Sequence, residues 1–185
     1  MNTFSDNTLM CKVKEGNLDQ LGLLFERYHR LLYRFFQNYH QRAECQDLVQ
    51  TVFLRILKYR IQFNENEGEF KTWMFRIARN VNMDFFKKQK RTRTENIESQ
   101  AFKFTSNMDL SLGEEKEEIL KLRIALKNLD EEKREIIVMS KLEGLNYKEI
   151  GQVLNCSEGA VKVRVFRALK GLRTQYFELE KNNPR

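Results

Sequence analysis

Lys162, Arg164, Arg167, Lys170 and Arg173 crowd a stretch that holds one acid, Glu158, for a local charge of +4. Cations at this density suit a polyanion. Their side chains can read guanine edges or hold phosphates. A second concentration runs from Arg76 to Arg93, with seven bases against Asp84, a local +6. The whole chain carries only +7, so everything outside these two segments sums to −3. Positive charge gathered at two distant places points to two separate contacts with a polyanion. Beside the second cluster lie Phe63, Phe70, Trp73, Phe75, Phe85 and Phe86. Rings next to arginines are the chemistry of unpaired bases: the ring stacks and the cation holds the phosphate. Trp73, Ile77 and Phe85 share one helical face and read first as core. Phe63 and Phe70 flank a polar loop, where a packed and a ligand-facing ring are equally open.

No catalytic constellation accompanies this chemistry. Asp47 and Asp84 stand without a partner carboxylate, and no nucleophile sits beside a base. Cys11, Cys45 and Cys156 are odd in number and widely spaced, fitting neither a metal site nor a disulfide framework. His29 and His40 have no paired ligand arrangement around them. The expectation is a protein with no enzyme activity, no metal and no cofactor.

The elements that must position the cations are helices. Tyr147 to Leu154 reads as a short helix with Ile150, Val153 and Leu154 inward. Asn155-Cys156-Ser157 is a turn, and Ser157 a natural N-cap for a helix from Glu158 to about Arg173. Val161, Val165 and Leu169 form its buried stripe. Gly151 lets the two helices cross closely. This is a helix-turn-helix whose second helix is shaped to enter a major groove.

Upstream, Leu18 to Tyr39 and Gln46 to Tyr59 carry apolar residues at helical spacing. Phe63 to Glu69 breaks the pattern and reads as a loop. Thr72 opens a helix to about Lys88. From Gln89 to Leu112 the periodicity fails. A flexible tether of that length spans about 25–30 Å. Helical pattern resumes near Glu115, with a further helix from Asp130 to Leu142. Strand-like alternation is absent and the one proline, Pro184, is near the end, so the fold class is all-α. The expected domains are 1–88 and 115–185, two small helical bodies joined by a flexible linker at 89–114.

The N-terminus lacks an apolar signal region, and no run of 18 apolar residues exists to span a membrane. Neither basic segment has the continuous apolar face of a membrane-surface helix. The cytoplasm is the simplest compartment.

DLVQTVFLRIL, EFKTWMFRIARN and LNYKEIGQVLNCSEGAVKVRVFRAL, in that order and with a linker before the third, together resemble the extracytoplasmic-function (ECF) sigma factors of bacteria. The resemblance covers about residues 18–178. It implies a sigma-2-like domain, a linker and a sigma-4-like domain. The implied function is a transcription initiation factor that binds core RNA polymerase, through the β′ clamp helices and the β subunit, and directs it to promoter DNA. By matched position, Asp47, Gln50 and Phe53 face the clamp helices. Phe63, Phe70, Trp73, Arg76 and Asn80 surround the captured −10 strand, Asn80 lining the flipped-base pocket. Lys162, Val163, Arg164, Phe166 and Arg167 face the −35 major groove. Thr51 stands where the family often has Glu, and Val163 where many members have Ser. An anti-sigma factor is a common partner in the family. It would compete for these same surfaces.

Two other classes remain in view. A dimeric helix-turn-helix regulator would share the second domain, but its first should sense a ligand or dimerise. A small helical nuclease would need a metal or nucleophile cluster.

Overall fold

The computed structural model describes residues 4–95 and 117–182, and every regular element among them is helical. Most of the expected tether, from residue 96 to 116, lies outside the described residues.

The first body holds four helices. They are α1 (Asp6–Lys14), α2 (Asp19–Gln37), α3 (Arg42–Tyr59) and α4 (Phe70–Glu95). Single 3₁₀ turns at Arg60–Gln62 and Glu65–Glu67 join α3 to α4. Helix α2 buries Leu24, Leu32, Phe35 and Phe36 against α3, which offers Leu48, Val49, Val52, Phe53 and Ile56. Met74, Phe75, Ala78 and Val81 of α4 close this core. Each buried aromatic or aliphatic side chain contributes about 1.5–3 kcal/mol on leaving water. A polar tie fixes the far end: His40 Nε2 meets Oδ1 of the buried Asn82 at 2.5 Å. Burial lowers the His40 pKa, and the ring packs against both Phe85 and Phe86.

Helix α1 has no counterpart among the expected elements. Its signal is short: Ser5 caps it by accepting from Thr8 N–H, and only Leu9, Met10 and Val13 are buried. Helix α4 is longer than expected at both ends. It starts at Phe70 rather than Thr72, and it runs through Gln89–Glu95, which composition had assigned to the tether. Lys, Arg and Gln are good helix formers, and no Gly or Pro interrupts them.

The second body holds α5 (Glu117–Lys127), α6 (Glu131–Ile137), α7 (Tyr147–Leu154) and α8 (Glu158–Asn182). The single helix expected over 130–142 changes at Val138 into a π-helical turn ending at Leu142. Helices α5, α6 and α7 all pack on α8. Caps set the register. Asp130 accepts from Lys133 N–H at 2.9 Å, Asn146 and Glu149 form a reciprocal capping box, and Ser157 Oγ accepts from Ala160 N–H.

Asn155 ends α7 in the left-handed conformation, with φ 53° and ψ 52°, as asparagine tolerates. Gly151 is required for a tighter reason than helix crossing. A Cβ there would lie 2.7 Å from the carbonyl oxygen of Cys156, so the turn folds back onto it. The buried stripe of α8 is Val161, Val165 and Ala168; Leu169 is 38% exposed. Strict four-residue spacing drifts round a helix of 3.6 residues per turn, and Ala168 brings the stripe back. Among the described residues no helix is long and apolar enough to cross a membrane.

Candidate nucleic-acid interface

With Val161, Val165 and Ala168 turned inward, the opposite side of α8 is presented to solvent. Lys162, Val163, Arg164, Phe166 and Arg167 are all exposed, Phe166 at 71%. A phenyl ring that exposed gains nothing from the fold of its own chain. The face therefore combines exposed cations with an apolar centre, chemistry that can meet base edges and a thymine methyl in a major groove.

The loop of the first body is built differently. Phe63 and Phe70 are 1% and 0% exposed, in an edge-to-face cluster with Trp73 and Tyr28. At both positions, where a packed and a ligand-facing ring were equally open, the ring is packed, away from the strand that the family resemblance places there. The two phenylalanines mark where the chain dives into the core, and only the residues between them stay outside. Asn64, Glu65, Asn66, Glu67 and Glu69 are exposed, so the loop's own chemistry is amide and carboxylate. Trp73 is half-buried. Arg76 and Asn80 lie exposed on α4.

That side of α4 is where the second body docks. Lys71 Nζ donates to the Glu143 carbonyl at 3.1 Å, and Arg76 Nη2 donates to the Gln152 carbonyl at 3.1 Å. Gln152 Nε2 in turn donates to the Glu67 carbonyl. Deeper in, Arg79 Nε lies 2.9 Å from Glu135 Oε1. Burial raises the Glu135 pKa, and the adjacent guanidinium draws it back. Glu143 is 6% exposed and its Oε2 has no hydrogen-bond partner. Burial pushes its pKa up to about 7, against the pull of Arg34 and Lys71. Two buried acids therefore meet basic side chains of the first body. Periodicity gave no sign of this contact, because every participant is a polar residue that reads as solvated surface.

On α3, Asp47 and Gln50 are exposed as expected. Phe53 is not: it is 7% exposed and packs edge-to-face on Phe25 at 4.9 Å, because it falls on the helix's inner stripe. Leu54, one residue on and 66% exposed, takes the outer place. Thr51 turns its hydroxyl onto the Asp47 carbonyl at 2.7 Å.

Residues 24–92 match sigma-70 region 2, and residues 119–172 match sigma-70 region 4. The chain is 30% identical over 179 residues to the ECF RNA polymerase sigma-E factor of Escherichia coli K12, spanning 91% of this chain and 92% of that one. This chain belongs to the ECF sigma factors. The ECF sigma factor SigX of Bacillus subtilis is 31% identical over 157 residues, spanning 82% of this chain and 80% of that one. Two solved structures share the fold. CnrH in complex with the cytosolic domain of CnrY gives a TM-score of 0.69 at 24% identity, covering 91% of this chain and 95% of that one. RpoE from Bartonella quintana, with the anti-sigma factor NepR, gives 0.63 at 23%, covering 86% and 96%. This sigma factor is accordingly a promoter-specific transcription initiation factor. Its first body is the region-2 domain and its second the region-4 domain. Helix α1 precedes the region-2 match. Among the described residues no group of three or more His, Cys, Asp or Glu is placed to hold a metal ion.

Proposed function

We propose that this sigma factor docks on core polymerase through the outer face of α3, captures the −10 strand with the 64–69 loop and the exposed side of α4, and reads the −35 element with α8. The observation that carries this reading is the open face of α8, with Lys162, Arg164 and Arg167 around Phe166 and Val163. On α3 the contact with the β′ clamp helices falls to Asp47 and Gln50, with Leu54 as its apolar centre. On α4 the exposed amide of Asn80 serves a flipped base, and Arg76 a phosphate. The β subunit of polymerase is the partner of the region-4 domain, and the cytoplasm the place of action.

Arg76 is bonded to Gln152 while the domains are packed, so −10 capture requires the region-4 domain to move off α4. An anti-sigma factor would compete for these same surfaces. Run-off transcription tests the reading: core polymerase, with and without this chain, on a genomic fragment library. Chain-dependent transcripts from a shared two-element promoter are expected. Their absence, with core binding intact, would sink it.

A further inference from the structure

Helix α1 lies outside the region-2 match, yet its side chains hold both ends of the 64–69 loop. Near its start, Asn7 Oδ1 accepts the N–H of Phe70 at 2.7 Å. Phe70 is the first residue of α4, so Asn7 satisfies one of the N–H groups that a helix start leaves free. At its end, Lys14 Nζ donates to the Phe63 carbonyl at 2.8 Å, where the chain leaves the first 3₁₀ turn. Between these two anchors the loop is exposed, and it is shaped from within by Asn64. Asn64 accepts from Asn66 N–H at 3.2 Å and donates to Glu67 Oε1 at 2.8 Å.

A two-turn helix is a rigid spacer; seven residues at 1.5 Å each set Asn7 and Lys14 about 10 Å apart along the axis. Helix α1 is itself fixed. Leu9, Met10 and Val13 are fully buried, and Asp6 binds Arg27 at 2.5 Å and the Tyr28 hydroxyl. The anchors thus tie the loop's two ends to a part that does not move with it.

We propose that α1 is a brace for strand capture, with Asn7 and Lys14 as positioning residues that hold the loop in its receiving shape. The proposal rests on the assignment of this loop to the −10 strand. Extruding a base already carries the cost of unstacking and unpairing it, and ordering a slack loop in the same step would add to the barrier. A loop held in advance leaves that addition out.

The test uses the full chain in holoenzyme on a promoter this chain directs, as duplex and with a pre-melted −10 bubble. Permanganate reactivity of bubble thymines reads opening. Core pull-down and a thermal melt read integrity. N7A and K14M should each reduce duplex opening about fivefold, the factor a lost helix cap gives. N7D keeps the acceptor and K14R the donor, so both should open like the parent. The bubble template should restore N7A and K14M, with core binding unchanged. The brace is overturned if the N7A/K14M double variant opens duplex normally. It is equally overturned if the conservative pair fails as badly, or if the loss is matched by loss of core binding. N80A separates the two levels. If N80A fails to open duplex while the double variant succeeds, the brace alone falls. If N80A also opens normally, the assignment of the whole region-2 face, loop and α4 together, to the −10 strand falls, and the brace with it.

Discussion

The two regions proposed to face DNA are built from similar residues and treated in opposite ways. On α8, cations and Phe166 point into solvent, and the helix is held from behind by a narrow aliphatic stripe. On the region-2 domain, the phenylalanines of the loop are core, and Lys71, Arg76 and Arg79 are engaged by the region-4 domain. One face is open; the other is engaged at three cations, while the 64–69 loop and Asn80 stay exposed. Charge density alone ranks the Arg76–Arg93 segment above Glu158–Arg173 of α8, +6 against +4, and that ranking says nothing of which is free to bind. Availability depends on what packs across each face.

The sharpest test of the contrast compares two phenylalanines. Phe70→Ala should cost about 3–5 kcal/mol of region-2 stability, as truncation of a buried ring does. Phe166→Ala should leave the melt within about 0.5 kcal/mol of the parent, as surface changes do, yet weaken −35 binding. Thermal melts and filter binding on a −35 duplex would show it. Equal melting temperatures for the two variants would break the contrast.

Next in size is Arg167→Ala. A base-reading side chain should lose about 1–3 kcal/mol, concentrated at one promoter position. A phosphate contact would instead weaken all sequences alike and flatten the salt dependence. Titrations on a −35 mutant series distinguish these, and no loss on any sequence would remove α8 from the groove.

Opening of the covered face should respond to Arg79→Met. Removing one partner of a buried ion pair costs about 3–5 kcal/mol. Arg79 keeps 29% exposure and Glu135 can regain water when the domains part, so about 1–2 kcal/mol against the packed form is expected here. Scattering should show a larger radius, and exchanging the pair (R79E with E135R) should restore it. An unchanged radius in R79M would refute the contact as a determinant of packing.

The smallest expected effect is one of pH. Glu143 is buried against Arg34 and Lys71, with its pKa raised to about 7. A raised carboxyl favours the packed form while protonated; that contribution is complete below the ordinary glutamate range and fades as pH rises through about 7. The packed fraction, read by fluorescence transfer between labels on the two domains, should fall from pH 6 to 8. Glu143→Gln should flatten that slope.

Much of this was written locally. The cap at Ser157, the apolar rows of α2, α3 and α4, and the exposed cations of α8 follow from spacing and residue type. The misplacements have separate causes. Leu169 was placed by a strict four-residue repeat that ignores a helix's slow drift, and Phe53 by matched position in the resemblance, which carries no information on the inner stripe where it falls. Phe63 and Phe70 were ambiguous because a ring at a loop's edge can turn either way, and the rest of the core decides which. Helix α1 was missed because three buried residues are too few for a periodic signal.

By itself the sequence determined the helical class, the helix-turn-helix, the order of the two domains and the family. Each rests on interactions between residues a few positions apart, or on motifs in a fixed order. Only the tertiary structure decided which faces are open. The hold of Asn7 on Phe70, and those of Arg79 on Glu135 and Arg76 on Gln152, join residues more than fifty positions apart. Polar pairs at that distance leave no periodicity. They exist only once packing has brought helices together and removed the water that would otherwise satisfy each group alone.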